Sequence, residues 1–194
     1  MMKFIFLDRD GVINKDPGGS LYVTSWEDFH FLPGSLEALK SLKKKGYLVA
    51  VVSNQAGVGK GIYTREILSK ITENMIRAVE AAGGELYSVQ YCTHTSEDNC
   101  DCRKPKAGLF KTAAKGLNID FSKIYFIGDT KRDIEAGRAI GCKTILVLSG
   151  KIKSGQEVEG WEIKPDIIKR DLFEAVEEIH SRDSLPGGRS KLSP

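Results

Sequence analysis

Asp8 and Asp10 follow directly on the apolar run of residues 4–7 and precede Gly11. If that run is a strand, both carboxylates leave its carboxyl end on one side, because residues two apart on an extended chain point the same way. Two carboxylates so placed repel each other unless a cation or a proton is shared. Magnesium suits the position, since it takes oxygen ligands, few of them protein carboxylates, and leaves room for a substrate phosphate. The pair then supports phosphoryl transfer. Asp8 is the nucleophile that forms an aspartyl-phosphate. Asp10 is the acid that protonates the leaving alkoxide and afterwards activates water. The other role open to such a pair is capping a turn.

Three more pieces follow in order. Ser53, Asn54 and Gln55 come at the end of the apolar run 48–52, where a hydroxyl and adjacent N–H groups can donate to phosphoryl oxygens. Lys104 offsets charge on the nucleophile and the transferring group. Arg103 beside it carries the planar fork that grips a second anionic group. Asp129 follows the apolar run 124–127 and a glycine, and is placed to give magnesium a second direct carboxylate. Asp133, four residues on, either reaches the metal through water or caps the next helix.

A separate cluster holds Cys92, His94, Cys100 and Cys102 within eleven residues. Three thiolates and an imidazole make a closed tetrahedral zinc set with no position left for water, so the expected role is structural. The zinc stiffens a polar loop and orients Arg103 and Lys104, which follow Cys102 directly. Reduced, unliganded cysteines in a polar loop are the alternative. Cys142 stands apart and reads as a core residue.

These groups need elements to hold them. Residues 3–7, 48–52, 87–91, 124–127, 144–148 and 166–168 read as strands, the third more polar than the rest, and continuous apolar runs of that length suit a parallel sheet. Helices are expected over 35–45, ending at Gly46, from an N-cap at Thr64 to Ala82, and over 109–115, 132–140 and 172–179. Ile67, Leu68, Ile71, Met75, Ile76 and Val79 recur at helical spacing and read as core. Alternating strands and helices define an α/β class with three layers and a mainly parallel sheet. Such sheets bind ligands at the carboxyl ends of their strands. One domain is expected over residues 1–180, with residues 181–194 a disordered tail rich in Ser, Gly and Pro.

The 194 residues suit a single core. A net charge of +3, with basic and acidic residues interspersed, excludes the basic-aromatic stripe expected of a nucleic-acid partner. No apolar run approaches transmembrane length and no signal peptide is visible, so no membrane partner is expected and the expected location is cytoplasmic. A monomer acting on a small phosphorylated metabolite is the expected state.

The stretches DRDG, SNQ, RKP and GDTKRD resemble the four motifs of the haloacid dehalogenase-like (HAD) phosphatases, over residues 4–179. The resemblance implies a Rossmann-like domain, Asp8 as nucleophile and Asp10 as general acid/base. It also implies Ser53 and Lys104 on the phosphate, and magnesium on Asp8, Asp129 and the backbone carbonyl of Asp10. With SNQAGVGKG and the CxH…CDCRKP loop, the chain is similar to the heptose 1,7-bisphosphate 7-phosphatases, whose near relatives are bacterial histidinol-phosphatases. Both groups lack a large cap. A bisphosphate gives a use for Arg103 and for the loop 16–19, where Asp16 and its glycines lie near the second phosphate. The sequence departs from the heptose pattern at Val12, Ala107 and Thr130, where threonine, proline and lysine are usual. Histidinol phosphate hydrolysis, DNA 3′-phosphate processing and a catalytically dead zinc-stabilised binding module are the other readings open to such a chain.

Overall fold

The computed structural model describes residues 2–19 and 21–184. Six strands form one sheet: β1 (Lys3–Leu7), β2 (Tyr47–Asn54), β3 (Ser88–Cys92), β4 (Tyr125–Gly128), β5 (Lys143–Val147) and β6 (Ile167–Lys169). Every neighbouring pair is parallel, in the order β3-β2-β1-β4-β5-β6. The chain builds outward from β1 on one side, then restarts at β4 on the other. The seam between β1 and β4 is therefore the switch point where a crevice opens above the strand ends. Asp8 and Asp129 come immediately after those two strands, and the Asp8 N–H donates to the Ile127 carbonyl at 2.9 Å.

Side-chain alternation along the strands divides the interior in two. Ile5 and Leu7 of β1 face a cluster with Leu39, Leu42, Ile71, Met75, Val176 and Ile179. These come from helices α1 (Ser35–Lys44), α3 (Arg65–Ala81) and α6 (Leu172–Ser184). Phe4 and Phe6 face the other way, onto Leu109, Phe110, Ala113 and Ala136. Those belong to α4 (Gly108–Ala113) and α5 (Lys131–Ile140). The three layers follow from this period-2 division of apolar residues between both faces of a buried sheet. The third strand is more polar because β3 is an edge strand and only Cys92 in it is fully buried.

The expected caps hold. Thr64 Oγ1 accepts the Ile67 N–H at 3.3 Å, and Gly46 takes φ 77° just beyond α1. A short helix, α2 (Ala56–Gly59), stands in a stretch that shows no helical period. Helix α6 continues through Ser184, so residues 181–184, assigned above to a tail, belong to the helix; residues 185–194 lie outside the described residues. Among the described residues there is no inserted second domain, and no helix is long and apolar enough to cross a membrane.

Candidate active site

The carboxyl ends of β1, β2 and β4 bring the acidic and basic groups together. Carboxylate oxygens of Asp8, Asp129 and Asp133 lie within 4.8 Å of one another. All three are buried. The Lys104 ammonium sits among them, 3.0 Å from Asp8 Oδ2 and 2.6 Å from Asp133 Oδ1, and donates to the Val52 carbonyl at 2.9 Å. Its three protons thus have three acceptors. Burial opposes the charge on Lys104, but Asp133 and Asp8 outweigh it and hold the ammonium charged well above the usual lysine range.

The loops that place these groups are built around glycines. Gly11 has φ 81°, and a Cβ there would overlap the Asp129 carboxylate and the Gly150 backbone. Gly150 packs directly on the Asp129 side chain, and Gly128 on that of Asp133. The Lys151 N–H donates to Asp129 Oδ2 at 2.7 Å, and Ser149 Oγ donates to the Gly11 carbonyl at 2.7 Å. The segment Ser149-Gly150-Lys151 after β5 is therefore part of the site, and its plain turn composition does not advertise it.

Asp133 does two things at once. Its Oδ2 accepts from the Thr130 N–H (3.0 Å) and hydroxyl (2.6 Å), closing a capping box on α5. Its Oδ1 faces Lys104 and the other carboxylates. Of the two roles the sequence left open, the helix cap is the one these contacts show, and it leaves Oδ1 turned to Lys104.

The electrostatics of the carboxylate cluster suit a divalent cation. Burial, with Asp133 and Asp10 adding to it, pushes the Asp8 carboxyl up to about 6 against the pull of Lys104 and Ser53. Asp129 is raised well above the usual carboxylate range by burial and by Asp133 and Asp8. A divalent ion with oxygen preference would relieve this mutual repulsion, and the donor set fits magnesium.

Asp10 is held apart from that cluster. Arg9 is fully buried; its Nε and Nη2 reach Asp10 Oδ1 at 3.1 and 2.8 Å, and Nη2 reaches Oδ2 at 3.0 Å. Asn14 Nδ2 donates to Oδ1 at 2.9 Å and Gln55 Nε2 to Oδ2 at 2.7 Å. Burial raises the Asp10 carboxyl, but Arg9, Asn14 and Gln55 together outweigh it and hold it below the usual range. The Arg9 guanidinium lies over the rings of Phe29 and Tyr91. Nothing in the sequence pattern marked Arg9, because a charged residue between two aspartates ordinarily reads as exposed.

The remaining candidates take specific places. Ser53 is buried beside Asp8, and its hydroxyl helps hold that carboxylate ionised. Asn54 bonds the Lys104 backbone on both sides: its Oδ1 accepts the Lys104 N–H at 3.0 Å and its Nδ2 donates to the Lys104 carbonyl at 3.1 Å. The Gln55 N–H is committed to the Cys92 carbonyl at 2.7 Å, so it is not a free phosphoryl donor. Arg103 is half-buried and donates from Nη1 to the His94 carbonyl at 3.2 Å. Asp16 accepts the Gly18 N–H at 2.7 Å and lies 3.8 Å from Lys151 Nζ.

Next to this site, Cys92, His94, Cys100 and Cys102 converge with no disulfide among them. Their sulfurs lie 3.1–3.6 Å apart and His94 Nδ1 lies 3.2–3.7 Å from two of them. Thiolates on a tetrahedral zinc with bonds of about 2.3 Å would be about 3.8 Å apart, so the set is close to the size of one ion. Burial opposes ionisation of Cys100, but hydrogen bonds from Cys102, the Arg103 backbone and Cys92 draw its thiol down to about 7.

A Rossmann-like parallel sheet with an aspartate pair, a buried lysine and a third carboxylate at one switch point defines the class of HAD-like hydrolases. The comparisons agree: a HAD-hydrolase-like family model matches residues 101–175. The chain is 41% identical over 162 residues to a D-glycero-β-D-manno-heptose-1,7-bisphosphate 7-phosphatase of Neisseria meningitidis, covering 84% of this chain and 86% of that one. It is 41% identical to the protein of the same description from Haemophilus ducreyi, covering 90% and 96%. The crystal structure of a D,D-heptose 1,7-bisphosphate phosphatase from B. bronchiseptica, complexed with magnesium and phosphate, superposes with a TM-score of 0.85 at 32% identity, covering 93% and 99%. The chain belongs to the heptose-1,7-bisphosphate 7-phosphatase family and is a hydrolase of the phosphatase class.

Proposed function

We propose that this chain removes the 7-phosphate of D-glycero-D-manno-heptose 1,7-bisphosphate through an aspartyl-phosphate on Asp8, using magnesium at the active site and zinc in the cysteine–histidine loop. The observation that carries the chemistry is the buried Lys104 ammonium between Asp8 and Asp133, with Asp129 alongside. The resemblance to relatives at about 40% identity supplies the substrate. Working on a sugar phosphate, the protein is placed in the cytoplasm, as part of lipopolysaccharide or S-layer heptose synthesis.

In this reading a carboxylate oxygen of Asp8 bonds to phosphorus as the phosphorus–oxygen ester bond breaks. The Asp10 carboxyl gives its proton to the departing sugar oxygen, and its carboxylate then takes a proton from the water that cleaves the acyl-phosphate. Lys104 holds Asp8 in place and offsets charge on the phosphoryl group. Ser53 donates to a phosphoryl oxygen. Asp8, Asp129 and the Asp10 carbonyl would hold magnesium, which would supply positive charge to the phosphoryl oxygens. Arg103 and the Asp16 loop are assigned to the second phosphate, and Arg103 must leave the His94 carbonyl to reach it. Zinc in the loop would hold Arg103 and Lys104 in register, since Cys102 precedes them directly.

The test compares magnesium-dependent phosphate release from heptose 1,7-bisphosphate and from histidinol phosphate, with Asp8→Asn as blank. Preference for the bisphosphate, abolished in the blank, is the expected result. Preference for histidinol phosphate overturns the substrate and keeps the mechanism. Release that survives in the blank overturns Asp8 as nucleophile.

A further inference from the structure

Tyr63 lies in the stretch SNQAGVGKGIYT that carries the resemblance to the heptose enzymes, but the sequence assigns it no role; it is 4% exposed and ends on the acid/base network. The chain reverses between Gln55 and Tyr63 through α2, with the Ile62 N–H on the Gly57 carbonyl at 2.8 Å. The Tyr63 ring packs on Gly57 where a side chain would otherwise stand. That closeness lets the Tyr63 hydroxyl donate to Gln55 Oε1 at 2.6 Å.

The direction of this bond sets the direction of the amide. Gln55 Oε1 also accepts from Arg9 Nη2 at 3.2 Å. An arginine only donates, and the Tyr63 phenol stays protonated because burial raises it far above neutrality. Two donors therefore fix the oxygen end of the Gln55 amide. Its nitrogen end must then face Asp10 Oδ2, at 2.7 Å, and Ser53 Oγ, at 3.3 Å. Turned over, the amide would set its nitrogen against the Arg9 guanidinium and its oxygen against a carboxylate, and the Tyr63 hydroxyl would lose the oxygen it donates to. The opposite oxygen of Asp10 is held by Arg9 and Asn14.

We propose that Tyr63 is a positioning residue for the reaction: through the Gln55 amide it fixes the Asp10 carboxyl at the place from which its proton reaches the leaving oxygen. This rests on the reading of Asp10 as acid/base. Gln55 accordingly acts on Asp10 and not on the phosphate. A group that acts only through Asp10 matters in proportion to how badly the leaving oxygen needs a proton. An alkoxide needs one and a nitrophenolate does not, so the two kinds of ester separate a positioning role from a structural one.

The experiment measures kcat/KM, which reports steps through ester cleavage, on an alkyl phosphate and on 4-nitrophenyl phosphate. Tyr63→Phe keeps the ring and removes the donor. It is expected to lose roughly tenfold to a hundredfold on the alkyl ester and less than about threefold on the aryl ester. Gln55→Leu, which removes the amide, gives the same pattern should the phenylalanine variant not fold. Equal loss on both esters, or no loss on either, overturns the proposal. Asp10→Asn must itself show the alkyl-selective loss. If it does not, the acid/base reading of Asp10 is wrong. If it does while Tyr63→Phe and Gln55→Leu do not, only the role of Tyr63 falls.

Discussion

Replacing Lys104 by methionine keeps length and apolar stem and deletes one buried charge. The ammonium is 2% exposed on its side chain, and its partners Asp8 and Asp133 are 11% and 1% exposed. The variant leaves two buried carboxylates and the Val52 carbonyl without their donor. Removing one partner from a buried ion pair costs about 3–5 kcal/mol. For a chain of this size that is a fall in melting temperature of roughly 6–20 °C. Most of the loss comes from stranded charge, so it must depend on pH. Lys104 itself contributes evenly across the neutral range, because its folded value is raised and its stabilisation is lost only in strong alkali. Asp8 behaves oppositely. Its folded value is raised to about 6, so ionising it in the folded chain costs stability that is regained as pH falls from 6 toward its ordinary value. Without Lys104 that value climbs further, and the deficit of the variant must widen above pH 6 and narrow toward pH 5.

The assay is urea unfolding of both proteins at pH 5 and pH 7.5, in buffer low in magnesium and free of chelator so that the cysteine–histidine loop keeps any zinc. Equal midpoints at pH 7.5, or a deficit that does not change with pH, would refute the account of Lys104 as the counter-charge to Asp8 and Asp133.

Three further outcomes follow from the same geometry. Gly11→Ala puts a Cβ onto Asp129 at a positive φ, so magnesium activation should need at least about tenfold more metal with little change at saturation, read by titrating activity. Magnesium binding should release protons near pH 6 and weaken by between about tenfold and about a hundredfold per unit of pH below it, because Asp8 and Asp129 must both ionise, which calorimetry in two buffers of different ionisation heat measures. The wild type should hold one zinc per chain by elemental analysis. Cys100→Ser should hold less, melt several degrees lower and lose turnover even in saturating magnesium.

Much of this was legible in the sequence because strand ends are. Asp8, Ser53 and Asp129 each follow an apolar run, and a parallel sheet has no choice but to gather such ends. The cysteine–histidine set was equally plain, since its four members lie close in the chain. What escaped depends on contacts made across the fold. Arg9 looks like a surface charge until Asp10, Gln55, Phe29 and Tyr91 enclose it. Tyr63 joins Gln55 only because the chain reverses through a helix of four residues, too short for a period to show. Gly150 and Lys151 reach Asp129 from a loop whose composition is that of any turn. Asp133 could not be assigned because one of its oxygens caps α5 while the other meets Lys104 from across the fold, and a sequence does not show that second contact.

The two buried cations explain why neighbouring aspartates can take different parts. Lys104 serves Asp8 and Asp133, whereas Arg9 serves Asp10, and neither cation is shared between the two sets. By these contacts alone the order is the reverse of the one the proposed mechanism needs: Asp8 is pushed up to about 6 and Asp10 is held below the usual range. A nucleophile must be ionised, and an acid must carry a proton. A divalent cation beside Asp8 and Asp129 would lower their values, and an anionic phosphate beside Asp10 would raise its own, so metal and substrate together would turn the order over. The protein then has little reason to protonate Asp10 before a phosphate ester arrives, and the Arg9–Gln55–Tyr63 clamp keeps that carboxylate in place until it does.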